Sequence, residues 1–286
     1  MSVAVDTRGR TPIKGPTALG SDPRRLWQLS RLLAVTDFKL RFFGSVLGYL
    51  WQLMRPLMLF GVLYVVFSVF FEAGADVPYY PVSLLLGIVL FGFFGEATGG
   101  SVRALVEREN LVRKIDFPRM AVPLSRVLMA LMNLSLNLVP VLIFCLAAGA
   151  MPRWSWLALP FIVAFLALLS LGLAMALSTL FVQYRDVEPI WDVVTQVLFY
   201  ASPILYTLQI VQDKAGTTVM NLLAMNPFTA VMQQARHALL GPGHLSAAQA
   251  AGGTARLLVP LGITLALLAL GFWLFNRRAP RIAEDL

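Results

Sequence analysis

The feature that most limits how this chain can fold is a succession of long runs without charge. Several stretches of 15 to 30 residues carry no Asp, Glu, Lys or Arg, or only one. Backbone in a bilayer must satisfy its own hydrogen bonds, so only helices and closed barrels can span it. The runs are continuously apolar and do not alternate, which rules out a transmembrane β-barrel. Composition agrees: the 286 residues are 58% hydrophobic and 13% charged, with a mean hydropathy of +0.74, far from soluble usage. The expected fold class is an all-α integral membrane protein.

Six transmembrane helices are expected, at roughly 46–71, 81–101, 124–149, 155–182, 189–210 and 256–276. The domain plan is a disordered tail over 1–20, an amphipathic interfacial helix over 21–44, a transmembrane domain over 45–276 and a second tail over 277–286. The first twenty residues are polar and rich in Gly, Pro and basic residues, without an apolar h-region. No cleavable signal is expected, and the first span would act as its own insertion signal. Eighteen Lys and Arg fall on one set of loops and tails, and four (Arg153, Lys214, Arg236 and Arg256) on the other, with Arg55 left over. The positive-inside rule then places both termini in the cytoplasm. The net charge of +8 reads as topology and contact with anionic lipid, and no nucleic-acid partner is expected.

The stretch "FKLRFFGSVLGYLWQLMRPL" (38–57) joins the lead-in helix to the first span. Ser21 or Asp22 can cap that helix, with Pro23 in its first turn. Leu26, Leu29, Leu33, Leu40 and Phe43 recur near helical spacing opposite Arg24, Arg25, Arg31, Lys39 and Arg41, as in a helix lying on a membrane. Gly44 permits the turn into the bilayer. Arg55 then falls inside the membrane zone, where it should face a wet cavity or reach head groups.

The loop "VERENLVRKIDFPRMAVPLSRV" (106–127) holds dense mixed charge, then Leu111, Val112, Ile115 and Phe117 at near-helical spacing. A short amphipathic helix here could lie on lipid or dock a partner, and mixed charge with aliphatics suits a protein groove better. Glu96, near the end of span two, reads first as snorkelling to the interface. Asp192 is a candidate structural partner for Arg185. Asn133 and Asn137 point to hydrogen bonds between helices, with lining of a polar pathway second. Gly172, Ala176 and Ser178 suit close helix packing. Trp154 and Trp156 fit an interfacial belt, whereas Tyr49, Trp51, Phe91, Phe94, Phe199 and Tyr200 could line a channel. The lone Cys145 reads as a small core residue. The region 208–254 is long and partly apolar, but Asn221, Asn226, Pro227, Gln233, Gln234 and Arg236 interrupt it too densely for a further span.

"NLVRKIDFPRMAVPLSRV" resembles the first coupling segment of ABC-2 type permeases of the polysaccharide, O-antigen and teichoic acid exporter family. Three further stretches, "DFKLRFFGSVLGYLWQLMRPL", "FVQYRDV" (181–187) and "YASPILY" (200–206), resemble the family's entrance to span one, its turn between spans four and five, and the middle of span five. "MNPFTAVMQQAR" (225–236) resembles the segment that follows. The matches run in order over roughly residues 30 to 275. The resemblance implies a homodimer of this chain driven by two copies of a cytoplasmic ABC ATPase. ATPase coupling would fall to Glu107, Asn110, Leu111, Arg113, Lys114, Phe117, Pro118, Arg119, Tyr184, Arg185 and Asp186. It also implies short re-entrant or interfacial outer helices before the last span, with Asn226, Pro227, Gln233 and Arg236 at an outer gate. No Gly-Lys dipeptide occurs, so there is no P-loop; no cofactor is expected on this chain, and ATP and Mg would sit on the partner.

The function expected is that of the transmembrane subunit of an exporter of a lipid-linked polysaccharide or teichoic-acid-like polymer, in the inner membrane of a bacterium. The substrate, carrying a diphosphate, would approach near the lead-in helix and meet Lys39, Arg41 and Arg55, with Glu96 and the aromatics along its route. An ABC-2 exporter of a drug or small lipid is the alternative. A membrane enzyme is remote: the two histidines, His237 and His244, lie in the outer segment, and no paired-carboxylate motif or Gly-x-Ser-x-Gly elbow appears. A proton-coupled flippase would need more buried carboxylates than the spans offer.

Overall fold

The computed structural model describes residues 22–42, 47–70, 77–110 and 118–279, and every regular element among them is helical. Helix α1 (Pro23–Phe42) leads in, followed by α2 (Gly48–Tyr64), which continues as a π-helical turn over Val65–Phe70. Then come α3 (Tyr80–Val102), the single turn α4 (Ala104–Glu107) and α5 (Ala121–Ala147). A 3₁₀ turn, Trp154–Ala158, opens α6 (Leu159–Gln183). Next are α7 (Val187–Ala201), α8 (Leu208–Ala224), α9 (Pro227–Leu240) and α10 (Ala247–Ala251). Last, a 3₁₀ turn over Thr254–Leu257 opens α11 (Leu258–Arg278).

Among the described residues, five helical stretches are long and apolar enough to cross a membrane: Leu50–Phe70, Tyr80–Val102, Ala121–Ala147, Trp154–Gln183 and Thr254–Arg278. They fall on the first, second, third, fourth and sixth expected spans. The fifth, expected as one helix over 189–210, is broken. Helix α7 stops after 15 residues at Ala201, and Ser202 is extended (φ −85°, ψ 144°). The cause is local: Pro203 clashes with a helical residue before it.

Helix α3 is the central post. It is apolar all round, which suits burial on every side, and α2, α5, α6, α7 and α9 all pack on it. Several hydroxyls in the buried helices bond back to their own backbone, as with Thr98 to the Phe94 carbonyl and Ser170 to that of Leu166; this satisfies them at low cost. Helices α6 and α11 touch backbone to backbone. A Cβ on Gly172 would stand 2.8 Å from Leu268 Cα, so the close packing expected at Gly172 is present.

The lead-in helix is more embedded in protein than a helix simply lying on lipid. Leu26 is buried, with Leu29 and Leu33 packed beside it, in a cluster with Ala121 and Val122 of α5 and Phe275 of α11. Leu40, expected on the same face, is 63% exposed, and Trp27 and Leu32 on other faces are exposed too. Gly44 and Phe43 lie outside the described residues.

Helix α7 and the turn after it run the length of α3. Glu188 pairs with Arg103 just past the end of α3, Trp191 Nε1 donates to Thr98 Oγ1 at 3.2 Å, and Phe199 stacks edge-on against Phe91. At the far end, Tyr80 Oη donates to the Leu205 carbonyl at 2.6 Å. Helix α9 runs alongside the same post. Phe228 packs on Phe91 and Phe94, Arg236 lies at Ser83, and Gly243 just beyond the helix approaches Pro78.

Candidate functional site

Two cavities of about 550 and 560 Å³ open between the end of α1, α2, α3 and α7. The first is walled by Arg41 of α1, Gln52 and Arg55 of α2, Gly92 and Glu96 of α3, and Asn137 of α5. Phe91 and Phe199 border both, and the second continues along α7 past Asp192, Gln196 and Tyr200. Arg41, Arg55, Phe91, Glu96 and Phe199, expected on the access route, are thus brought together. Phe94 faces elsewhere, into an apolar pocket of about 200 Å³ shared with Asn226, Pro227 and Phe228. Lys39 and Trp51 are exposed, and nothing is described of the Tyr49 side chain.

Glu96 does not snorkel away from the protein. Its Oε1 accepts from Arg41 and from Asn133 Nδ2, the latter at 2.7 Å. Asn133 therefore makes the bond between helices expected of it, and its partner is the carboxylate of the neighbouring span. Asp192 borders the second cavity, and Arg185 lies over the Phe181 ring, 4.9 Å from its centroid; the expected pairing of the two is replaced by a cation–π contact.

On the α1 side, an ionic cluster binds three segments. Asp37 of α1 pairs with Arg108, Arg126 of α5 stands 3.9 Å from Asp37, and Glu107 pairs with Arg126. Burial lowers the Arg108 guanidinium from its ordinary range, and the Asp37 carboxylate opposes that shift. The Arg103–Glu188 pair draws the 103–110 segment toward the loop that holds Tyr184, Arg185 and Asp186, all exposed. Asn110 is exposed as well, whereas Pro118 is buried. Arg119 is also buried and donates to the Ala279 carbonyl, so it fastens the end of the last span instead of facing outward. Leu111, Arg113, Lys114 and Phe117 lie outside the described residues.

On the opposite side, the residues expected at a gate hold α9 in place. Asn226 accepts from the Phe228 N–H at 3.0 Å, an N-cap ahead of Pro227 at the first helical position. Gln233 Nε2 donates to the Leu245 carbonyl at 2.7 Å. Arg236, 1% exposed, donates to the carbonyls of Pro203 at 2.8 Å, Ile204 at 3.1 Å and Ser83 at 3.4 Å. The break after α7 frees those first two carbonyls, and the guanidinium satisfies them where water is absent. Sequence reasoning missed this role. Beside it, burial foremost and then the Arg236 charge push His244 down to about 4, and its Nε2 bonds the Pro78 carbonyl at 2.9 Å. Among the described residues no cluster of His, Cys, Asp and Glu could hold a metal ion.

A helical bundle with five stretches able to span a bilayer among the described residues and a charged, aromatic-lined cavity beside its central helix has the make-up of a membrane transporter subunit. The sequence profile of the family described as ABC-2 type transporter matches residues 28–240, and the chain belongs to that family. It is 30% identical over 212 residues to the O-antigen export system permease protein RfbA of Myxococcus xanthus, covering 73% of this chain and 80% of that protein. A Klebsiella pneumoniae protein of the same name is 27% identical over 190 residues, 66% and 73% of the two chains. The polysialic acid transport protein KpsM of Escherichia coli is 23% identical over 215 residues, 75% and 81%.

Proposed function

We propose that this chain is the membrane-embedded subunit of an ATP-driven exporter that moves a lipid-linked polysaccharide out across the bacterial inner membrane. Two copies would form the pathway, and a separate ABC ATPase, present twice, would hydrolyse ATP. The observation that carries the reading is the cavity where Arg41, Arg55 and Glu96 meet Phe91 and Phe199, in a chain of this family. Guanidinium groups suit an anionic head group, and aromatic faces suit sugar rings. The relatives' names point to O-antigen and polysialic acid, which favours a polysaccharide over a drug or small lipid.

Both termini are assigned to the cytoplasm on the distribution of Lys and Arg, which puts the Asp37–Arg108–Arg126 cluster on that side. Six crossings are favoured because α7 and its turn follow α3 from Arg103 to Tyr80. Helix α9 reads as re-entrant, since it lies along only the outer half of α3. Exposed polar residues on α2 and α7, such as Arg55, Asp192 and Gln196, are costly against lipid, so a second copy should cover that face. The ATPase would dock on 107–117 and 184–186.

The test is co-reconstitution in liposomes with a candidate ABC ATPase, measuring ATP turnover and appearance of polymer on the far side. Charge reversal at both Arg113 and Lys114 should abolish pairing and turnover. Turnover that survives this reversal would refute the docking assignment.

A further inference from the structure

The cavity beside α1 holds two guanidinium groups and one carboxylate, and the carboxylate is already engaged by Arg41 and Asn133. Arg55 on the same wall makes no ion pair among the described residues. Along α3, the residues one turn to either side of Glu96 are Gly92 and Gly100, and both line the cavity. A Cβ at either would meet nothing within 4 Å. Glu96 therefore rises from an otherwise bare groove, with open space on both sides of it.

We infer that Glu96 is a built-in place-holder: its carboxylate occupies the Arg41 guanidinium that a phosphate-bearing lipid head group takes during transport. The inference rests on the access role proposed for this cavity. The Arg41 and Glu96 side chains are 37% and 25% exposed, and a pair as wet as this is held loosely and screened by salt. A phosphate carries more charge and accepts paired bonds from a guanidinium, so it displaces the carboxylate. Asn133 stays bonded to Glu96 after the exchange, which spares the released carboxylate the loss of its last donor. Without substrate, the same pair holds the end of α1 against α3; loading the head group releases it.

The experiment titrates the full chain in detergent with geranylgeranyl diphosphate by calorimetry. Geranylgeraniol supplies the tail alone and inorganic diphosphate the charge alone. Glu96→Gln keeps an oxygen for Asn133 and removes the competing charge. An exposed pair is closed roughly five to one, so the variant should bind geranylgeranyl diphosphate about fivefold more tightly, with geranylgeraniol unchanged. Arg41→Gln should weaken the diphosphate and erase the gain in the double variant. Glu96→Asp, which keeps the charge, should show no such gain and serves if the Gln variant fails to fold. Unchanged or weaker binding by Glu96→Gln, alongside a loss with Arg41→Gln, would overturn the place-holder and leave the access reading intact. Equal binding of inorganic diphosphate and the lipid would overturn the lipid head group as ligand. If Arg41→Gln and Arg55→Gln both leave binding untouched, the access reading itself falls.

Discussion

Substituting Gly172 by alanine should loosen the bundle by an amount the structure sets. The new Cβ would stand 2.8 Å from both Cα and N of Leu268 and 2.9 Å from the Leu267 carbonyl carbon. Carbon atoms pack best at about 3.5–4.0 Å, so α6 and α11 must part by nearly ~1 Å. The atoms met are backbone, and no rotamer change relieves them. Overpacking of this kind costs about 1–3 kcal/mol, and the better helix propensity of alanine returns up to about 1 kcal/mol. Contacts to rigid backbone put this site at the upper end of the overpacking range, so the net loss is ~1–2 kcal/mol, a fall in Tm of roughly 2–8 °C. Gly262→Ala on α11 is the matched control, because a Cβ there meets nothing within 4 Å; its Tm should hold or rise. The assay is thermal unfolding in one detergent, followed by tryptophan fluorescence. Equal Tm values for the two variants would refute the backbone contact between α6 and α11.

Three other perturbations test the remaining parts. Arg236→Met leaves the carbonyls of Pro203, Ile204 and Ser83 without their donor; at about 1–3 kcal/mol for each orphaned acceptor, less the relief of a buried charge, ~2–4 kcal/mol should be lost. Tryptic cleavage after Lys214, in the exposed part of α8, should then accelerate, and an unchanged rate would refute the staple. His244 is buried neutral with its value near 4, below the ordinary 6.5, so the unfolded form binds the extra proton. Its contribution is complete above pH 6.5 and shrinks as pH falls toward 4, by on the order of 3 kcal/mol at most. His244→Asn should flatten that part of a Tm-against-pH curve. Asp37→Arg should lower Tm by breaking the pairs with Arg108 and Arg126; adding Arg108→Asp should restore part of it, with a coupling energy of about 1 kcal/mol in the double-mutant cycle.

Five helices long enough to span are readable in the sequence because an uncharged run of that length must become helix in lipid. The expected 81–101 and the observed Tyr80–Val102 differ by one residue at each end. Asn133 was readable as a bond between helices for a related reason: an amide inside a span needs a partner. Which partner was not readable, since the register of α3 against α5 that sets Asn133 beside Glu96 is tertiary. The same holds for α1, whose inner face looked like a lipid face until α5 and α11 were seen to cover it.

The early end of α7 and the burial of Arg236 share one cause. Pro203 was visible inside the run 189–210, and Arg236 was visible as an arginine among apolar residues. Taken separately, Pro203 carries no expectation of its own and Arg236 is expected only at an outer gate. A proline that stops a helix at membrane depth leaves carbonyls unpaired, each costing several kcal/mol in hydrocarbon. A buried guanidinium without a carboxylate needs several acceptors at once. Each defect is the other's remedy, and the 2.8 and 3.1 Å bonds from Arg236 to Pro203 and Ile204 join them across 32 or 33 residues of chain. A helix broken at Pro203 and a lone basic residue downstream of it, neither explicable alone, are therefore better read as a pair.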